Sequence, residues 1–142
     1  MKKFLVVAIL ALLTMACTNH LSNEEWKNQV EAKVKDWQLQ SLPTITTFTL
    51  DSWSSLGERY LIIRTSPSRP YLIELNSRCP GLDFANAILT EQSTSTSLSA
   101  RFDSITPGNS PGIPCQISKI YPLTKEQAKT LQALDNPPAD KS

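Results

Sequence analysis

Glycine is scarce, with four in 142 residues, and histidine scarcer still, with His20 standing alone. Each shortage removes a class of chemistry. A phosphate-cradling loop needs closely spaced glycines, and these four are scattered at turns. A Ser-His-Asp arrangement needs a histidine base, and His20 stands so near the N-terminus that a solvated linker residue is the expectation. A zinc site takes about four N, O or S ligands, more than one histidine and a cysteine pair supply. Lysines and arginines number 14 against 13 acids, a net charge of +1 with no basic stripe. That argues against nucleic acid as a partner, because such binders concentrate cations to release counterions. No metal or organic cofactor is implied, and the chain carries no internal repeat.

What is present begins at the N-terminus. Lys2 and Lys3 precede a ten-residue apolar run, Phe4 to Leu13, then Thr14, Met15, Ala16 and Cys17. A membrane-spanning helix needs about 20 apolar residues, so this run is too short, and the layout is that of a secretory signal. "LTMAC" resembles the cleavage site of a bacterial lipoprotein signal, with Thr14 where Leu is usual. The resemblance implies cutting after Ala16 and lipid attachment to the Cys17 thiol, which anchors the chain in the membrane. Several acyl chains hold stably where one is marginal. Thr18, in place of an Asp that would retain the protein at the inner membrane, points to the outer membrane, facing the periplasm. The alternative is an ordinary signal with Cys17 incidental. Residues 1–16 are thus a signal peptide and 17–22 a lipidated tether.

Export puts Cys79 and Cys115 in an oxidising compartment, where disulfides persist. No C-x-x-C redox motif is present, so a structural disulfide closing a 37-residue loop is expected.

Ser22 and Glu25 form a capping-box pattern. Trp26, Val30, Val34 and Trp37 then recur at spacings of four, four and three, one face of an amphipathic helix over about 23–37. The two tryptophans are expected to pack that helix onto a sheet. From Thr44 to Tyr121 the texture is that of strands: "TITTFTL", a hairpin over residues 59–75, the second half of "FANAILT", "STSTSLSARFDSI" and "QISKIY". "CPGL" has the residue order of a type II turn. Thr124 and Gln127 open a short C-terminal helix, and residues 135–142 read as a disordered tail. The expected fold is α+β, a single domain over residues 23–134. It holds a small antiparallel sheet or partial barrel of about six strands, with a helix at each end.

The ordered series Trp53, "LG" at Leu56–Gly57, "YLIEL" at 71–75, "CPGL" at 79–82, "FD" at 102–103 and "PCQI" at 114–117 resembles a known family. It is a family of small proteobacterial envelope proteins classed only as a domain of unknown function. The resemblance covers roughly residues 50 to 123. It implies an exported, often lipid-anchored, disulfide-linked domain and brings no catalytic residue, ligand or partner.

Between residues 38 and 118 every basic side chain is Arg: Arg59, Arg64, Arg69, Arg78 and Arg101. Arginine suits planar anions. Arg64 and Arg69 flank the link "TSPS" as a candidate binding fork, or else pair with sheet acids such as Glu58 and Glu74. Asp51, Glu58, Glu74, Asp83, Glu91 and Asp103 are the carboxylates from which an acid–base pair would have to come, and Asp103 is expected to satisfy backbone donors in a turn. The Pro-rich loop "PGNSPGIPC" reads as a recognition loop or a plain connection. The functional expectation is a non-enzymatic envelope lipoprotein serving binding or assembly, with an envelope protein as partner. The alternatives are an envelope glycan or lipid hydrolase with paired carboxylates and an inhibitor of a cell-wall hydrolase.

Overall fold

Ser22 and Glu25 close a reciprocal cap at the start of the first helix. The Ser22 Oγ accepts from the Glu25 N–H, and the Glu25 carboxylate accepts from the Ser22 N–H. In the computed structural model, which describes residues 20–109 and 113–135, this helix α1 runs Asn23–Asp36 and ends at Trp37. Glu24 and Glu25 sit in its first turn and Lys33 and Lys35 in its last, the signs that suit the helix dipole. The signal peptide, Cys17, most of the tether, the middle of "PGNSPGIPC" and the tail beyond residue 135 lie outside the described residues.

Among the described residues eight strands follow: β1 Thr44–Ile45, β2 Ser52–Leu56, β3 Tyr60–Arg64, β4 Pro70–Leu75, β5 Ile88–Glu91, β6 Leu98–Ser99, β7 Ser104–Pro107 and β8 Cys115–Pro122. Helix α2, Lys125–Gln132, comes last, with the Thr124–Gln127 capping box formed. Six strands make one curled antiparallel sheet in the order β2-β3-β4-β8-β7-β5, a half-barrel, and β1 pairs with β6 in a second, two-stranded sheet. The α+β class, the partial barrel and the helix at each end agree with the sequence reading.

Side-chain alternation sorts the sheet into two cores. Leu61, Ile63, Ile73, Leu75, Ile105, Ile117 and Ile120 point into the half-barrel with Phe48, Leu98 and the disulfide. Tyr60, Ile62, Leu72 and Tyr121 point the other way, onto Trp26 and Val30 of α1 and Ala128 and Leu131 of α2. Cross-strand partners keep to one face: Leu72 lies opposite Tyr121, and Ile73 opposite Ile120. "YLIIR" and "YLIEL" are apolar on both faces because both faces are covered.

Two stretches depart from expectation. Of "TITTFTL" only Thr44 and Ile45 are strand, since their partner β6 is itself two residues long. "STSTSLSARFDSI" is not one strand. It is a turn closed by a Thr94–Ser97 bridge, then β6, a tight reversal at residues 100–103, and the start of β7. The strand β2, which lacks alternation by eye, forms one edge of the main sheet. It ends at Gly57, whose φ of 74° is left-handed. A Cβ there would stand 2.9 Å from Trp26 Cδ1, so the glycine lets the indole lie on the turn. Trp26 is buried as a packing residue. Pro80 and Gly81 make the expected turn, with Gly81 at φ 84° and ψ −5°.

Candidate functional site

The reversal at residues 100–103 is tightly constrained. Arg101 has φ 73°, left-handed backbone that non-glycine residues rarely adopt. Such strain costs of order 1–3 kcal/mol and persists only where the surroundings over-determine it. They do so here. The Arg101 N–H donates to the Ile117 carbonyl at 2.7 Å, and the Ile117 N–H donates to the Asp103 carbonyl at 3.0 Å. The Gln116 side-chain amide donates to the Arg101 carbonyl. Asp103 is 1% exposed. Its carboxylate accepts from Ser99 N at 2.6 Å and from Ser93 N and Oγ at 2.7 Å each. This is the backbone-satisfying role expected for it.

The held turn projects Arg101 and Phe102 outward, and Phe102 is 79% exposed. Leu42, Pro43 and Thr44 lie alongside, the Ala100 N–H donating to the Pro43 carbonyl at 2.9 Å and the Leu42 N–H to the Ile120 carbonyl at 2.7 Å. These segments, with Ser118 and Lys119, line a groove of about 550 Å³. The size lies in the range of small-ligand sites. A β-bulge shapes it: Glu74 pairs with Lys119 and Leu75 with Ile117, so Ser118 is the extra residue of β8. Bulges re-aim side chains and are over-represented beside binding sites. Two cations line the groove, Arg101 and Lys119, with hydroxyls from Ser41, Thr44, Ser99 and Ser118 and no carboxylate. Neither cation forms an ion pair among the described residues, though Lys119 lies across the sheet from Glu74 and also lines the neighbouring cleft of Glu31 and Glu74. The arrangement suits an anionic group, with the Phe102 ring free to stack on a flat or apolar part.

Of the pair Arg64 and Arg69, Arg64 lines a cleft. The Arg64 guanidinium donates to Gln132 Oε1 at 2.9 Å and borders a smaller cleft of about 220 Å³ with Pro67, Pro70, Lys125 and Lys129. Arg69 is exposed in the turn between β3 and β4. Neither pairs with an acid among the described residues. The lysines of α2 that join Arg64 carry no local signal for it, since the juxtaposition is tertiary.

Cys79 and Cys115 are bonded, with Cα atoms 5.8 Å apart. The six carboxylates considered from sequence meet different partners. Arg78 donates to Glu58 at 2.8 Å, Arg59 faces Glu74 at 3.9 Å, and the Ser104 hydroxyl donates to Glu91. Asp83 accepts from the Ser55 hydroxyl at 3.2 Å, and Asp51 is exposed at the start of β2. Glu74 shares a cleft with Glu31, Tyr60 and Lys119. The Tyr60 hydroxyl donates to Glu31, and burial, with Glu74 and Glu31 nearby, pushes its pKa up. His20 is not a free linker residue: it contacts Asp83 and Asp135. Among the described residues no group of three or more His, Cys, Asp or Glu could hold a metal, and no helix is long and apolar enough to cross a membrane.

The groove's residues were partly legible in sequence. Phe102 and Asp103 stood out as a pair, and Arg101 as one of five arginines. Leu42, Ser118 and Lys119 carried no mark. Compared with known proteins, residues 1–136 match the model of a protein family described as a family of unknown function (DUF6491). The match is wider than the 50–123 span that the motifs carry. No curated protein and no solved structure matches the chain.

Proposed function

The chain belongs to DUF6491, a family of unknown function, and from that premise we propose that it is a non-enzymatic binding module of the bacterial envelope. In this reading it is anchored by lipid at Cys17, on the periplasmic side of the outer membrane, and takes an anionic ligand, borne by an envelope component, in the groove beside Arg101. The observation that carries the reading is the groove itself. Arg101, without an ion pair among the described residues, borders it with Lys119 and four hydroxyl-bearing residues, the exposed Phe102 stands at its rim, and the turn that presents Arg101 and Phe102 is held in strained backbone by the buried Asp103 carboxylate. The short apolar run ahead of Cys17 and the Cys79–Cys115 bond, which suits an oxidising compartment, support the location.

The test places a photo-reactive residue at position 102 of the full-length chain in intact cells, with a second probe at exposed Thr130 on α2 as control. A discrete adduct is expected from position 102 and none from 130, and Arg101→Glu with Lys119→Glu should abolish it. Equal labelling from both positions, or no adduct from well-recovered folded protein, overturns the reading.

A further inference from the structure

The described fold begins at His20, three residues after Cys17. Three residues at full extension span about 10 Å. His20 is held to the body: its Nε2 lies 3.2 Å from Asp83 Oδ2, its Nδ1 lies 3.0 Å from Asp135 Oδ2, and the next N–H, of Leu21, donates to Asp135 Oδ1 at 2.6 Å. Asp83 belongs to a single 3-10 turn, Leu82–Phe84, and the following side chain, Phe84, is 75% exposed. Ile113, 57% exposed, enters the same end of the domain. The Cys79–Cys115 bond ties Cys115, two residues beyond Ile113, beside that turn, and the Asn109 side-chain amide donates to the Gly81 carbonyl at 3.1 Å.

We infer that this end of the domain rests on the lipid surface, with Phe84 seated at the headgroup–acyl boundary as a second point of attachment. The inference rests on the lipid anchor at Cys17 proposed above. A lipidated Cys17 sits in the bilayer surface, and three residues of chain leave the Asp83–Phe84 turn within reach of the headgroups. An aromatic there buries apolar area at the interface, as interfacial side chains do. The short tether and the His20 contacts choose the face. The exposed ring supplies the contact. A second copy of the chain would leave the placement of Phe84 beside the tether unexplained.

The experiment uses the full-length chain, purified from cells and reconstituted in phosphatidylethanolamine/phosphatidylglycerol vesicles. The vesicles carry a trace of phospholipid with a diazirine near the headgroup end of its acyl chain. Intact mass is read first. A chain without acyl mass overturns the anchor reading and this inference together. With acylated chain, lipid adducts are expected on the peptide spanning Leu82–Asn86. They should fall at least fivefold in Phe84→Asp and persist in Phe84→Leu, with thermal midpoints unchanged because the side chain is exposed. Cys17→Ser should lose the adducts. Acylated wild type labelled no more than Phe84→Asp, or cross-linked at this peptide to protein instead of lipid, overturns the inference and leaves the anchor standing.

Discussion

Both ring nitrogens of His20 face carboxylates, and only the imidazolium can donate from both. The Asp83 hydrogen bond first, and the charge of Asp135 next, raise its pKa above the ordinary 6.5. The sign follows. The folded chain holds this proton more tightly than the unfolded chain does. The clamp is therefore complete below pH 6.5 and is lost as pH rises through the raised value. Because the ring is exposed to solvent, the effect concerns the docking of the tether more than global stability. A titration of the His20 ring by NMR should give a midpoint above 6.5 that falls toward 6.5 in Asp83→Asn. A wild-type midpoint at or below 6.5 would remove the clamp.

At the scale of elements, the β6–β7 reversal shows how one carboxylate replaces a ladder. β6 is two residues long, too short to hold itself, and Asp103 takes up the Ser99 and Ser93 donors that a longer pair of strands would have satisfied. Asp103→Ala would take the shared acceptor from those part-buried donors. A loss of about 3 kcal/mol is expected from hydrogen bonds to a charged group, read by urea unfolding. Asp103→Asn should fall between, since its single oxygen cannot serve all three donors. A loss below about 1 kcal/mol would mean that water replaces the carboxylate. The same turn explains why "STSTSLSARFDSI" reads as one strand in sequence: its β-branched and apolar residues suit a strand, and nothing local announces that Arg101 adopts a positive φ.

For the whole molecule, the disulfide joins the turn after β4 to the start of β8, across a sequence separation of 36. These strands are neighbours at the centre of the sheet, and everything from β5 to β7 is inserted between them. Closing that loop restricts the unfolded chain by about 4 kcal/mol in the chain-entropy description, an upper figure. Cys79→Ala with Cys115→Ala should lower unfolding free energy by an amount approaching this, measured by urea titration against the oxidised wild type. An unchanged free energy would show that the unfolded chain already keeps the two ends close.

Capping boxes, helix periodicity, the Pro-Gly turn and the cysteine pair were legible because each depends on residues close in sequence or on a single possible pairing. α1, α2, the β3–β4 hairpin and the bond between Cys79 and Cys115 follow from them. The β6–β7 reversal, the β8 bulge at Ser118 and the edge strand β2 were not. The reversal and the bulge arise where partners more than ten residues away set the backbone, Ile117 for Arg101 and Leu75 for the bulge, while β2 pairs with the adjoining β3 but its run Ser52–Leu56 shows no apolar alternation. The groove is of that second kind. Leu42, Arg101 and Lys119 meet only because β8 runs between two distant turns. The amino-acid sequence alone determined the class of fold and its covalent tie, since those rest on local preference and composition. Only tertiary structure decided which cations border one groove, because charge proximity across a folded surface has no local trace.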